Sequence, residues 1–368
     1  MHLWLSNLHG PESSNLFFIV IPLLSIIVIS HNQCKQLRRC LDSILAMQLS
    51  FAHEIIVSDD RSQDGSREML EKEYGDKVRI TYCNSDECNP AMTSERAGYN
   101  RINGLKNAQG KYIIHVDGDD FYTSNDIFQI MVNTLESHPE CNLCFQNYRV
   151  LEEGKSLEDS SLGCDSNSFV GNPIISAENF VQKFPYIHNS ACCARKSALQ
   201  SIDALTGATY DDVDITYQYI GKKNVALVNR SDFVHVHYKS GTASRFAAVD
   251  QQVQWASALY VINIAPQLTG VLLKYNLDQI HEVARLGRKK VKLSKRTLNY
   301  LEKFDIAILN SFDNEYGSAS MMRINLVWWW IKLIKRFHWE KPIVYRILYR
   351  LSIKWDIDKQ VCFDYNSR

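Results

Sequence analysis

Ile113-Ile114-His115-Val116-Asp117-Gly118-Asp119-Asp120-Phe121 carries an apolar run straight into a cluster of carboxylates. The run reads as a strand, and the carboxylates fall at its C-terminal end. In open α/β sheets that end faces the ligand crevice. Carboxylates gathered there repel one another unless a cation lies among them. Hard oxygen donors suit Mg²⁺ or Mn²⁺, and such ions in turn grip phosphate oxygens. Asp and Gly are also ordinary turn residues, so the neighbouring sequence has to decide between a solvated turn and a site.

Working outward, the chain alternates strand and helix. Leu24-Ser25-Ile26-Ile27-Val28-Ile29-Ser30 is β-branched and apolar, the pattern of a strand buried on both faces. It ends at Ser30-His31-Asn32. Residues 36–47 place Leu37, Cys40, Leu41, Ile44 and Leu45 on one helical face. Glu54-Ile55-Ile56-Val57-Ser58 is a second strand, ending in Asp59-Asp60. Ser62-Gln63-Asp64-Gly65-Ser66 is turn chemistry before a helix that runs to Tyr74. A strand over 78–82 and a helix over 100–108 lead into the acidic strand. Such β-α-β-α repetition predicts a parallel sheet with helices on both faces. Further on, helices are expected over 125–137, 177–184, 195–202 and 213–220, and strands over 141–150, 225–228 and 233–237. Residues 152–172 read as a polar loop. The stretches 251–260, 279–301 and 323–355 read as a helical, basic and aromatic region.

Composition narrows the function classes. Lys plus Arg and Asp plus Glu are both 41 in 368 residues, so bulk charge gives no reason to expect nucleic acid. The apolar stretch 16–29 is shorter than a spanning helix needs and Pro22 interrupts it. The first residues lack a positive n-region and a clear small-residue cleavage site, so no secretory leader is expected. Cys141 and Cys144 lie three apart on an expected strand and so on opposite faces, which argues against zinc. Reduced thiols in a cytoplasm are the default expectation for the ten cysteines.

The segments 24–32 and 54–66, then Ala108-Gln109-Gly110-Lys111-Tyr112-Ile113 and Asp117-Gly118-Asp119-Asp120, together resemble the family 2 glycosyltransferases of the GT-A fold. Their order and spacing carry the likeness, which covers about residues 22–245. It implies a Rossmann-like mixed sheet flanked by helices, with an extension over 1–21 and a C-terminal helical region over 246–368. It also implies an inverting transferase that moves a sugar from a nucleotide-sugar, a UDP-sugar by expectation, to a glycan or lipid-linked acceptor in surface-polysaccharide synthesis. Mg²⁺ or Mn²⁺ would be required.

Residue roles follow from the same likeness. Ser30, His31 and Asn32 would line the nucleotide. Asp60 would accept from a uracil-type N–H. His31 stands where the family carries an aromatic beside the base. Arg96 would lie near the nucleotide, and Asp117 would contact the ribose or the metal. Asp119 would hold the metal that bridges the diphosphate, while Asp120 would orient neighbours or cap a helix. Asp212, in Asp211-Asp212, would be the base that takes the acceptor proton, with Asp214 in reserve. His237, in a His-x-x-Ser-x-Thr type segment, would reach metal or diphosphate. Asp211 replaces a usual Glu, and Ile102 a usual Asn.

The basic and aromatic stretch from Arg323, with Trp328-Trp329-Trp330, fits peripheral contact with the inner face of the cell membrane, or else packing of a C-terminal domain. Two other readings have distinct signatures. A nucleotidyltransferase would release pyrophosphate. A non-catalytic nucleotide-sugar-binding scaffold would show no slow donor hydrolysis.

Overall fold

A computed structural model of the chain describes residues 21–88, 96–163, 173–177, 179–180, 187–199, 211–221 and 223–238. The N-terminal extension, the polar segment after residue 163 and the whole C-terminal region expected to be helical lie outside the described residues. So do most of the helix expected over 177–184 and the last residues of the one expected over 195–202.

Four strands build the first half of the sheet: β1 (Leu24–Ser30), β2 (His53–Asp59), β3 (Arg79–Tyr82) and β4 (Tyr112–Asp117). All are parallel, in the order β3-β2-β1-β4. Every residue of β1 is buried, as its unbroken β-branched run requires of a central strand covered on both faces. α1 (Cys34–Leu45) covers one side with Leu37, Cys40, Leu41 and Ile44. α2 (Ser66–Met69) continues as a π-helical turn over Leu70–Tyr74. α3 (Arg96–Asn107) begins four residues before the expected start and lays Gly104 against β1, where a Cβ would lie 2.4 Å from Ile27 Cγ2.

The second half breaks the parallel rule. β5 (Phe121–Tyr122), α4 (Ile127–Ser137) and β6 (Cys141–Glu152) are followed by two short strands, β7 (Ser161–Leu162) and β8 (Ile174–Ile175). β9 (Cys192–Arg195) lies antiparallel between β4 and β6. The helix expected to begin at Arg195 is therefore a strand end and a single 3₁₀ turn over Lys196–Ala198. Cys192-Cys193-Ala194 is buried between two neighbouring strands, and that lateral pairing outweighs the helical spacing of the residues that follow. α5 (Asp211–Ile220) precedes β10 (Asn224–His237), one long strand where two were expected. β10 runs parallel to β6 with a register shift between Val228 and Phe233, so the interruption read from sequence is an irregularity within one strand. The sheet closes at its far edge with β5 antiparallel to β10.

Cys141 and Cys144 are fully buried thiols on β6. Neither joins a cluster with metal-ligand spacing among the described residues. No helix among the described residues is long and apolar enough to cross a membrane.

Candidate active site

The carboxyl ends of β1, β2 and β4 converge, and the loops leaving them clasp one another. After β1, Asn32 takes a left-handed conformation at φ 52°, and after β2, Arg61 does so at 57°. Ser62 Oγ accepts from Asn32 N at 2.8 Å, and Asn32 Oδ1 accepts from Gln63 N at 2.7 Å. α1 has no side-chain cap of its own. Its first amide, Cys34 N, donates instead to Asp64 Oδ2 in the neighbouring loop at 2.8 Å. The turn residues read at 62–66 thus cap a helix borrowed from the previous unit. His31 is exposed at this mouth, with Nδ1 donating to the Asp60 carbonyl at 2.6 Å, while Ser30 is buried beneath it.

Asp59 and Asp60 are both buried. Asp59 accepts from Ser62 N at 3.0 Å, from the Ser62 hydroxyl, and from Arg67 Nε at 3.2 Å, which makes it a brace for its own turn. Asp60 accepts from Ser85 N at 3.1 Å, Ser85 Oγ at 2.7 Å and Arg96 Nε at 3.2 Å. A carboxylate has about four acceptor positions, so one remains, on Oδ1. Arg96 also pairs with Asp86 at 2.7 Å.

At the end of β4 the turn is packed tightly. A Cβ on Gly118 would lie 2.6 Å from the Ile29 carbonyl oxygen, so glycine is what lets this turn sit against β1. Asp117 Oδ1 accepts from Arg101 Nη2 at 2.7 Å, and Arg101 is itself buried on α3. Burial opposes ionisation of Asp117, but Arg101, His188 and His235 outweigh it and hold the acid at about 2. Asp119 goes the other way. Burial, then the charges of Asp120 and Asp117, push it up to about 8. Its carbonyl is clamped by Arg39 Nη2 at 2.9 Å and by the Tyr238 hydroxyl at 3.0 Å.

Asp120 precedes a strand and does not cap a helix. Its carboxylate is fully buried, accepts from Val236 N at 2.9 Å, and meets His235 Nδ1 at 3.1 and 3.2 Å. Burial disfavours the cationic form of His235, yet Asp120, by charge and hydrogen bond, and then Asp119 and Asp117 raise it to about 9. His188 packs against His235 with ring centroids 4.6 Å apart, and burial followed by the charge of His235 holds it down to about 4. Asp120, His188 and His235 each offer a donor atom within 4.8 Å of one another. His237 stays outside this group. It is half exposed and its Nδ1 faces Glu152 at 3.2 Å. Sequence reasoning missed His188. No spacing motif ties it to the acidic turn, and only the 3₁₀ turn Asn189–Ala191 brings it there.

That turn also docks α5. Thr216 Oγ1 donates to Asn189 Oδ1 at 2.8 Å, and Tyr219 Oη lies 3.1 Å from His115 Nε2 on β4. The second half of the helix that carries Asp212 is thus docked on the 3₁₀ turn and on β4. Of Asp211, Asp212 and Asp214 the backbone alone is described.

A sheet of this order, mixed only beyond β4 and with an acidic turn at its crevice, defines a nucleotide-diphospho-sugar transferase fold of GT-A type. The likeness to Staphylococcus aureus TarS residues 1–349, a structure in complex with UDP-GlcNAc, bears this out. It covers 89% of this chain and 90% of that one, with a TM-score of 0.59 at 15% identity. Residues 25–202 match the model of glycosyl transferase family 2. Among curated relatives, an uncharacterized protein of Mycobacterium tuberculosis is 27% identical over 183 residues, 49% of each chain. The uncharacterized glycosyltransferase EpsJ of Bacillus subtilis is 36% identical over 119 residues, 32% of each chain. The chain spans about half the length of the curated relatives it matches first.

Proposed function

We propose that the protein is an inverting glycosyltransferase. It moves a sugar from a UDP-sugar to a hydroxyl of a lipid-linked or growing glycan in surface-polysaccharide synthesis, with residues 22–245 as the transferase unit. The observation that carries the reading is the acidic turn at the carboxyl end of β4, where Asp119 sits between Asp117, paired with Arg101 at 2.7 Å, and a buried Asp120 that meets His235 at 3.1 Å. Such crowding fits a divalent cation, and carboxylates joined by the His235 imidazole suit Mn²⁺ or Mg²⁺. Asp119 and Asp117 would hold it, with His235 taking the role first read onto His237. Bound there, the ion would offset charge gathering on the departing diphosphate.

The chain's own residues do the rest. The remaining acceptor position on Asp60 would meet a uracil N–H, and His31 would stack beside the base. Arg96 would hold Asp60 oriented through its Nε hydrogen bond. Asp212, on α5, would take the acceptor hydroxyl's proton. A UDP donor is also supported by the UDP-GlcNAc bound to TarS. The basic and aromatic stretch from Arg323 would rest on the inner face of the cell membrane.

The test is a thermal-shift panel of UDP, GDP, CDP and dTDP, each with Mn²⁺ and with chelator, followed by Asp212→Asn. UDP alone should raise the melting temperature, and only with metal. Asp212→Asn should keep that shift while turnover falls at least about 100-fold. A shift with a different nucleotide would overturn the donor, and equal loss of binding and turnover in the variant would overturn the base.

A further inference from the structure

Asn189 opens the 3₁₀ turn that leads into β9, and half of its amide is unmatched among the described residues. Its neighbour fastens the turn to the acidic end of the sheet. Ser190 Oγ accepts from Asp117 N at 3.1 Å, and the Ser190 carbonyl accepts from the Tyr122 hydroxyl at 2.6 Å. Towards α5, Asn189 Oδ1 accepts from Thr216 Oγ1 at 2.8 Å. With its oxygen on Thr216, the amide turns its NH₂ to a different neighbour. Asn189 is 3% exposed, and Nδ2 has no hydrogen-bond partner among the described residues. Buried amide hydrogens are seldom left without an acceptor. The amide is small, so that acceptor belongs close to Thr216.

The phase of α5 says which residue can supply it. Ile215, Thr216, Tyr219 and Ile220 are buried and form one stripe along this helix. At about 100° per residue the stripe, carried back one turn, passes through position 212, three before Ile215 and four before Thr216. Positions 211 and 213 fall on its flanks, and 214 on the opposite face. Residues four apart on a helix are neighbours, about 5–6 Å apart at Cβ. An amide that already touches one of them spans most of the way to the other. Of the three acids on α5, Asp212 is the one on the face that Asn189 meets.

We infer that Asn189 is a positioning residue for the transfer: its Oδ1 holds Thr216 while its Nδ2 donates to the Asp212 carboxylate, a role that rests on the reading of Asp212 as the base. An ionised carboxylate only accepts, through two oxygens. With one oxygen tied to Asn189, the other is left in a set direction for the acceptor's proton. General-base transfer needs that direction, because the base must stand within hydrogen-bond reach of the proton it takes. The same turn holds the Asp117 amide through Ser190. One short segment thus spaces the base from the acidic turn.

The experiment reads the amide itself, by NMR of the full chain labelled with ¹⁵N-asparagine. The Asn189 Nδ2 protons are identified by their contact with Thr216 and by their loss in Asn189→Ala. In wild type one of them should lie downfield and exchange slowly with water. Asp212→Ala should bring it upfield and speed its exchange at least about tenfold, and Asp214→Ala should leave it in place. Thr216→Ser keeps the hydroxyl and should keep the signal, whereas Thr216→Val keeps the shape and should lose it. Release of UDP from UDP-GlcNAc should fall about 10–100-fold in Asn189→Ala, while the thermal shift given by UDP stays as in wild type.

An Asn189 amide that is the same in wild type and in Asp212→Ala would overturn the positioning role, and so would one that answers to Asp214→Ala instead. Either result leaves Asp212 as base if Asp212→Asn still abolishes turnover. An amide that does answer to Asp212, with turnover undiminished in Asp212→Asn, would overturn the base and the positioning role with it. The wild-type and Asp212→Ala spectra decide the hydrogen bond even if Asn189→Ala does not fold.

Discussion

Two Asp-Asp pairs end neighbouring units of one sheet, and they are opposites. Asp59-Asp60 leaves β2 with most of its acceptor positions matched to Ser62, Arg67, Ser85 and Arg96, and Asp60 keeps one on Oδ1. Asp119-Asp120 leaves β4 with like charges against one another, one carboxylate pushed up to about 8 and the other held to a histidine. The dipeptide is the same. What differs is the supply of donors: the first pair faces a loop and a helix that provide hydroxyls and guanidinium groups, the second faces Asp117 and an imidazole. A carboxylate whose partners are all internal mainly holds structure. One whose neighbours repel it favours an added cation.

The largest expected effect tests the second pair. Asp119→Ala should lower turnover at least about 1,000-fold while the melting temperature moves by no more than about 2 °C, because Arg39 and Tyr238 hold its carbonyl and not its carboxylate. Near-normal turnover would remove the metal role and most of the contrast. Gly118→Ala comes next. The added Cβ would press on the Ile29 carbonyl and displace the turn by a fraction of an ångström to an ångström. That should cost about 100-fold in kcat, and a variant with full activity would mean that the turn's placement is not critical.

Asp59→Ala probes the first pair. It strands two donors of Ser62 and the Arg67 guanidinium. A loss of roughly 2–4 kcal/mol is expected, seen as a melting temperature lower by roughly 5–12 °C, with kcat per folded molecule within about threefold. A large kcat loss with intact stability would make the two pairs alike. The smallest effect lies away from both. The Tyr74 hydroxyl donates to Asp42 at 2.7 Å, and burial followed by Asp42 raises it from 10.0 to about 12. Its folded pKa is above its unfolded one, so this contribution is complete below pH 10 and is lost as pH rises from 10 towards 12. Tyr74→Phe should flatten that part of the stability profile, read by chemical denaturation, and leave transfer unchanged.

Much of this was legible beforehand. The β-branched run at 24–30 read as a buried strand, and the acidic turn after 113–116 fell at the crevice edge that parallel strands create. The family likeness rests on the order of these local signals, and each survives in the fold. The missteps share one cause. Arg195 was read into a helix and 225–237 into two strands because lateral pairing with β6 leaves no mark in local spacing. Alternation along a strand likewise does not say which of His235 and His237 meets a carboxylate about 115 positions away, and in the fold it is His235.

Sequence therefore settled the strand ends and the residue types gathered at them, since backbone propensity and apolar burial act over a few neighbours. Only the tertiary structure decided which of those residues share a proton, repel one another or stand apart. Those relations depend on distances of 3 to 4 Å between segments far apart in the chain, and a carboxylate takes its character from them.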